Sequence, residues 1–182
     1  MKIVYQGLTK SNQKLVIRYP LATDLNQVWR YINRISKEKT YITFQGEKIS
    51  KKNEAKWLDN KIDQIRQKKC VNLFVFVDNQ FSGSSEVTLK ERVSKHIGSL
   101  GITLAPETRG QGIGKLLMSL TISEAQKKLP GLKMITLECF ANNEIALNLY
   151  QSLGFIEHGR LPKGLSYRGS LVDEVLMYKP IE

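Results

Sequence analysis

The alternation of apolar and polar positions divides the chain into short strand-like segments and longer helix-like segments. Residues 15–19 (L-V-I-R-Y) predict a first strand, which ends at Pro20. A helix capped by Thr23 or Asp24 follows, and its apolar side carries Leu25, Val28, Trp29 and Ile32. A second helix is predicted from near Ser50 toward residue 68, because apolar residues recur at helical spacing while lysines fill the other face.

The remainder of the chain alternates hairpins and helices. Residues 71–77 are almost continuously apolar, which is typical of a strand covered on both faces. Further strands are predicted at residues 81–89, 96–104, 132–140, 155–160 and 171–179. A helix that runs to about Leu129 follows the strand predicted at residues 96–104. A shorter helix, capped by Asn142 or Asn143, ends at Gly154. Its predicted inner face consists of Ile145, Ala146, Leu149, Tyr150 and Leu153.

This order predicts an α+β fold with three layers. One mixed, mostly antiparallel and twisted sheet of seven strands would carry helices on both faces. Residues 39–44 and 161–170 are predicted to be loops, the former bordering a substrate pocket or, as we favour, tucked against the surface by its aromatic residues. No linker or internal repeat interrupts the pattern, so residues 1–182 are expected to form a single domain.

The segment P-E-T-R-G-Q-G-I-G-K, between a predicted strand and a predicted helix, carries the clearest chemistry. Glycine can adopt positive φ and lets the backbone approach a ligand closely, and here Gly110, Gly112 and Gly114 alternate. A glycine turn at a helix N-terminus presents free N–H groups and the positive end of the helix dipole to an anion. Arg109 and Lys115 add positive charge. We expect a phosphate or diphosphate here; the alternative is a turn before an ordinary helix.

The spacing of this glycine loop excludes two familiar nucleotide motifs. A P-loop requires a serine or threonine after its lysine, whereas Leu116 follows Lys115. A dinucleotide fingerprint requires G-x-G-x-x-G, whereas this loop has G-x-G-x-G. The loop therefore belongs to neither class.

Composition and charge restrict the function classes only broadly. The formal net charge of +11 could favour nucleic acid, an acidic protein surface or a phosphorylated cofactor, but a lysine-rich solvated surface explains it as well. No nucleic-acid motif accompanies the charge, so nucleic acid is not an expected partner. Neither a membrane-spanning run nor a signal-peptide core is present, and Cys70 and Cys139 read as buried free thiols, so a cytoplasmic location is expected. The two histidines show no metal-ligand spacing, so no metal is expected.

A second motif follows the glycine loop by about one helix and one strand. It reads N-x-x-A-x-x-L-Y-x-x-x-G-F and runs from Asn143 to Phe155. A strand that ends in R-x-x-G-x-G, followed by this motif, resembles the GNAT superfamily of acetyl-coenzyme A-dependent N-acetyltransferases. The two motifs cover residues 100–155, and the resemblance extends more loosely over nearly the whole chain.

The resemblance implies acetyl-coenzyme A as cosubstrate and assigns a use to each part. Loop amides would cradle the diphosphate, the strand at residues 100–104 would splay from the strand at 132–139, and the pantetheine arm would pair with the freed edge. One edge amide would also polarise the thioester carbonyl. The coenzyme contacts so implied are Ile102, Thr103, Leu104, Arg109, Gly110, Gln111, Gly112, Ile113, Gly114, Lys115 and Asn143.

Two catalytic residues are expected on the same basis. Tyr150 matches the tyrosine that protonates the departing thiolate in many family members, although packing below the sheet would also explain it. Members often carry an acidic base on a central strand, but residues 96–104 contain none. Glu86, on the preceding strand, is therefore the first candidate for the base, ahead of Glu138, Asp173 and His96.

The sequence says least about which amine accepts the acetyl group. The C-terminal pattern looks like that of small-amine, amino-acid and ribosomal-protein acetyltransferases, so an amino acid, small amine or protein N-terminus is expected. A polyamine is disfavoured, because the segments expected to wall the acceptor site are basic. Family members are often dimers, which makes a homodimer one option. The alternatives are a non-catalytic acyl-coenzyme A sensor on the same fold and a basic nucleic-acid-associated protein.

Overall fold

A computed structural model describes residues 2–181. Eight strands form one sheet in the order β1-β2-β3-β4-β5-β6-β8-β7. The strands are β1 (Ile3–Leu8), β2 (Lys14–Arg18), β3 (Cys70–Val77), β4 (Gln80–Leu89), β5 (Ile97–Leu104), β6 (Met134–Phe140), β7 (Ile156–Tyr167) and β8 (Ser170–Pro180). The helices are α1 (Leu25–Lys37), α2 (Lys51–Arg66), α3 (Ile113–Lys128) and α4 (Glu144–Ser152). The predicted α+β class, with a mixed and mostly antiparallel sheet, is confirmed.

The sheet has eight strands rather than the predicted seven, because β1 was not recognised. This strand pairs antiparallel with β2 at the edge of the sheet, and each of its residues is exposed or half-buried, without regular alternation. An edge strand buries little apolar surface, so its hydrophobic pattern is weak. The turn that joins it to β2 places Lys10 and Ser11 beside the glycine loop.

Two further expectations are wrong at the C-terminal side. The predicted loop at residues 161–170 is mostly strand, since β7 continues to Tyr167 and a tight turn at Arg168 and Gly169 leads into β8. Leu161 and Leu171 are exposed on this hairpin. The segment therefore lacks the alternation of apolar and polar residues that predicts a half-buried strand. On α4, Ile145 does not face the core but is 86% exposed.

Helices cover both faces of the sheet, as predicted. In β3 the residues Val71, Leu73 and Val75 pack into a core shared with α3, while Phe74 and Phe76 point the opposite way and pack against α1 and α2. Alternate residues of a strand point to opposite faces, so the continuous apolar run of β3 serves two cores. On the α1–α2 face, Phe74 and Phe81 meet edge to face with ring centroids 4.8 Å apart.

The sheet opens at its centre, between β5 and β6. These two strands are the parallel pair of the sheet, and their pairing runs only from Ile97 opposite Met134 to Ser99 opposite Thr136. Beyond that point β5 stays paired with β4 as far as Leu104, and β6 stays paired with β8 as far as Phe140. The expected splay is confirmed, and it leaves one edge of residues 100–104 without a neighbouring strand.

Candidate active site

The split between β5 and β6 opens into a cavity of about 480 Å³. It extends from the separated strands to α1, α2 and the connection between these helices. Five predicted site residues, from β4, β5 and α4 with its N-cap, line it: Glu86, Ile102, Thr103, Asn143 and Tyr150. The sheet therefore brings together residues that are far apart in sequence.

The glycine loop lies at the end of β5 and opens α3. Gly110 and Gly112 have φ of +74° and +79°, a conformation that residues with a Cβ rarely adopt, and Gly112 is the N-cap of α3. The first backbone hydrogen bond of the helix runs from Leu116 N–H to the Gly112 carbonyl at 3.2 Å. The N–H groups of Ile113 and Gly114 precede this bond and are available to an anion. The Ile113 side chain itself is buried in the core.

Three basic side chains lie around this loop: Arg109, Lys115 and Lys10. Arg109 is held in place, because its Nε donates to the Leu104 carbonyl and its Nη2 to Glu38 Oε2, each at 3.0 Å. Lys115 is exposed on the first turn of α3. A further lysine, Lys10, lies beside the loop: its Cε is 4.0 Å from the position that a Cβ on Gly112 would occupy. Recognition of the β1–β2 hairpin from the sequence would have brought Lys10 into consideration.

Asn143 caps α4 at the mouth of the cavity. Its Oδ1 accepts a hydrogen bond from Ala146 N–H at 3.3 Å, so the carboxamide oxygen is used by the helix. The side-chain NH₂ group remains as a donor toward the cavity. The preceding residue, Asn142, is held by the connection between α1 and α2, because the Tyr41 hydroxyl donates to the Asn142 carbonyl at 3.2 Å.

Tyr150, on α4, is 8% exposed and lines the cavity. Its ring packs near Phe155, with centroids 6.2 Å apart. Burial raises the pKa of the Tyr150 hydroxyl above its ordinary value, and the nearby Cys139 acts in the same direction. The phenol therefore stays protonated at neutral pH, as a proton donor requires.

Glu86 lies on β4, directly opposite Gly101 of β5. Its carboxylate is held by two neighbours: Lys61 Nζ lies 3.0 Å from Oε1, and Asn72 Nδ2 donates to Oε2 at 3.0 Å. A carboxylate has about four lone-pair sites, so these contacts orient the group without filling it. Two alternatives to Glu86 lie away from the cavity lining, namely Asp173 and His96, whereas Glu138 is part of it.

The walls of the cavity are acidic, whereas the sequence predicted basic walls around the acceptor. Residues 41–44 border the cavity instead of forming a separate surface loop. Tyr41 stacks on Tyr167 with centroids 4.6 Å apart and fixes the α1–α2 connection against β7. The lining contains no lysine or arginine, but it contains Glu54, Glu86, Glu138 and Glu174. The expectation of a basic wall is wrong, because the lysines at the start of α2 face solvent and Lys61 is paired with Glu86.

Sequence analysis missed two polar residues of this lining. Glu54, in the first turn of α2, is only 6% exposed, and Tyr31 on α1 has a buried hydroxyl without a hydrogen-bond partner among residues 2–181. Burial alone raises the pKa of the Glu54 carboxyl, since no opposing charge or hydrogen bond offsets it. A signal was present: Glu54 precedes Leu58 and Ile62 at intervals of four and so continues the inner stripe of the helix.

Residues 2–181 contain neither a membrane-spanning helix nor a cluster of metal-ligating side chains. No helix there is long and apolar enough to cross a membrane. Within the same range, histidine, cysteine, aspartate and glutamate side chains form no group of three or more that could hold a metal ion.

Comparison with known proteins places these features in a wider group. Residues 29–155 match the model of the acetyltransferase (GNAT) family. A mycothiol acetyltransferase from Renibacterium salmoninarum is 46% identical over 54 residues. This stretch is 30% of the present chain but only 15% of that relative.

Solved structures match over nearly the whole chain. The GNAT-family acetyltransferase from Streptococcus pneumoniae has a TM-score of 0.83 at 26% identity, over 92% of this chain and 99% of that one. RimL, a ribosomal L7/L12 alpha-N-protein acetyltransferase in complex with coenzyme A, has a TM-score of 0.81 at 13% identity, over 99% of this chain and 98% of that one. The second likeness demonstrates a shared fold.

Proposed function

The chain belongs to the acetyltransferase (GNAT) family, and on that premise we propose that it transfers the acetyl group of acetyl-coenzyme A to a primary amine. The amine is an amino acid, a small amine or a protein N-terminus, and it attacks directly in a ternary complex. The observation that carries this proposal is the end of β5–β6 pairing at Ser99 and Thr136, which frees one edge of β5 between the glycine loop that follows this strand and a cavity lined by Tyr150.

The donor half of the site has the groups that acetyl-coenzyme A requires. The free N–H groups at the start of α3, with residues 109–112 before them, would hold the diphosphate, and Lys115 and Lys10 would add charge. The unpaired edge of β5 at Ile102, Thr103 and Leu104 would bind the pantetheine arm as an added strand does. The side-chain amide of Asn143 would donate to the same arm.

The acetyl group arrives as a thioester, and the chain's own residues supply the remaining chemistry. A backbone N–H on the free edge of β5 would donate to the carbonyl oxygen as negative charge develops there. The Tyr150 hydroxyl would give its proton to the departing thiolate as the carbon–sulfur bond breaks. Holding both reactants in one cavity converts a bimolecular step into an effectively unimolecular one.

The acceptor must lose a proton before it attacks, because an ammonium has no free lone pair. Glu86 is proposed as the base. Lys61 and Asn72 keep its carboxylate oriented, and its register opposite Gly101 brings it next to β5 in a cavity that both residues line. Its remaining lone pairs would accept the proton, directly or through water.

Thiol release from acetyl-coenzyme A over a panel of amines, with calorimetric titration of coenzyme A, tests the proposal. We expect amine-dependent release together with coenzyme A binding. Tight coenzyme A binding without release for any amine would instead support a non-catalytic acyl-coenzyme A sensor. Salt-dependent RNA binding that coenzyme A does not affect would support a nucleic-acid function.

A further inference from the structure

Glu54 is an unusual group to find in this cavity. The residue as a whole is only 6% exposed, yet no hydrogen bond or ion pair of its carboxylate occurs among the described residues, and it lines the cavity. Leaving a buried charge unpaired costs free energy, and proteins rarely retain one without a partner. An ammonium group bound in the cavity from outside the chain would supply such a partner.

The electrostatics of the whole cavity point the same way. Glu86 is neutralised by Lys61, but Glu54, Glu138 and Glu174 have no ion pair within residues 2–181. The cavity lining contains no lysine or arginine, although the protein as a whole carries a formal net charge of +11. A cavity that is acidic inside a basic protein concentrates cations and repels anions.

Aromatic side chains complete the lining around Glu54. Tyr31, Trp57 and Phe81 border the same cavity, and the Trp57 ring is fixed by parallel stacking on Phe74 at a centroid distance of 6.5 Å. Aromatic faces attract ammonium groups, and their apolar area suits a hydrocarbon chain. The volume of about 480 Å³ is in the range of sites for small molecules.

We propose that the acceptor is a small diamine and that Glu54 binds the ammonium group that does not react. The other amine would lie toward Glu86 and the free edge of β5, where the proposed acetyl transfer takes place. This inference rests on that proposed function and narrows its acceptor. It reverses the expectation that a polyamine is disfavoured, because the charges that face the cavity are acidic rather than basic.

The same lining argues against the other acceptor classes. A free amino acid carries a carboxylate, and no cationic side chain lines the cavity to bind it. The carboxylate would instead face Glu54, Glu138 and Glu174, and like charges in a partly desolvated site repel strongly. A monoamine would leave Glu54 without a partner.

The test compares three acceptors with the same five-carbon chain: cadaverine, n-pentylamine and delta-aminovaleric acid. In the thiol-release assay we expect the highest kcat/KM for cadaverine and the lowest for the amino acid. Glu54→Gln should lower kcat/KM for cadaverine roughly thirtyfold or more, mainly through KM, because it removes one partner of a buried charge pair. The same variant should leave the value for n-pentylamine unchanged or raise it.

Asp59→Asn is the matched control, because Asp59 lies on the same helix, is exposed and does not line the cavity. It should behave as the unmodified protein with all three acceptors. Equal kcat/KM for cadaverine and n-pentylamine, or equal losses for both in Glu54→Gln, would overturn the role of Glu54. Transfer to basic peptides but to none of the three amines would overturn the small-diamine acceptor. Absence of thiol release with every amine and peptide would instead count against acetyl transfer itself.

Discussion

Lys61 Nζ lies 3.0 Å from Oε1 and 2.9 Å from Oε2 of Glu86, so one ammonium group on α2 contacts both carboxylate oxygens of a residue on β4. The pair joins α2, which lines the cavity, to β4, which pairs with β5. Asn72 supports the same carboxylate from β3. This arrangement fixes the position of the proposed base relative to Gly101 before any substrate binds.

Glu86→Gln is expected to lower kcat/KM by about a hundredfold, the lower end of the range for loss of an acid–base group. Steady-state rates measure this loss, and thermal unfolding verifies that Lys61, left without its partner, does not unfold the protein. If Glu138→Gln gives this loss and Glu86→Gln does not, then Glu138 is the base.

Tyr150→Phe removes only the hydroxyl that is proposed to protonate the thiolate. Burial raises the pKa of this hydroxyl, so the group is a proton donor across the neutral range. We expect kcat to fall by about a hundredfold while the affinity for coenzyme A changes little. The thiol-release assay measures kcat, and calorimetric titration measures the affinity for coenzyme A. Unchanged kcat would leave Tyr150 with a packing role only.

Gly101→Val tests the side of the sheet from which the acceptor approaches. A Cβ on Gly101 would have no heavy atom within 4 Å, so the larger side chain fits without a clash and extends toward the cavity that Gly101 lines. We expect KM for the amine to rise roughly tenfold or more, as obstruction of a pocket by one or two carbon groups does. Coenzyme A affinity should persist. An equal loss of coenzyme A affinity would place the coenzyme on this face of the sheet.

Lys10→Ala tests whether the β1–β2 turn contributes to the phosphate site. Lys10 lies beside Gly112 at the N-terminus of α3, so its loss should weaken coenzyme A binding by about fivefold, as for an exposed ion pair, and the effect should shrink in high salt. Lys128→Ala is the control, because Lys128 ends the same helix about 24 Å away and carries the same charge. Calorimetric titration at two salt concentrations distinguishes them. Equal weakening by both variants would indicate a general charge effect.

Glu54→Gln should stabilise the protein at neutral pH. Burial raises the pKa of Glu54 in the folded state above its unfolded value. Stability from the protonated carboxyl is therefore complete below the unfolded pKa and is lost as the pH rises through the folded pKa. The variant cannot ionise, so its unfolding midpoint should exceed that of the unmodified protein at pH 7.

The same difference in unfolding midpoint should disappear near pH 4, about the ordinary value for glutamate. Thermal unfolding across this pH range measures it. The other charged groups at the cavity, Glu86, Glu138, Glu174 and the Lys61 that pairs with Glu86, are present in both proteins, so the comparison isolates Glu54. A lower midpoint for the variant at pH 7 would mean that the ionised carboxylate is stabilised by the fold.

Prediction from sequence succeeded where the signal is local. The order of elements from β2 onward, the start of α2 near Ser50 and the glycine turn before α3 were predicted correctly, because capping and turn chemistry depend on a few neighbouring residues. It failed for β1 and for the extension of β7 to Tyr167, because edge strands expose most of their side chains and so lack a strong apolar pattern.

By itself, the sequence determined the family, the fold class and the proposed donor site, because the glycine loop and the asparagine-to-tyrosine helix are continuous segments whose spacing carries their geometry. Only the tertiary structure decided which charges face the cavity of the proposed acceptor site. The lysine-rich α2 turns Glu54 and Trp57 inward, and the sheet brings Glu86, Glu138 and Glu174 to the same cavity. The physical reason is that the charge of a cavity depends on which side chains of distant segments face one another, and not on the net charge of those segments.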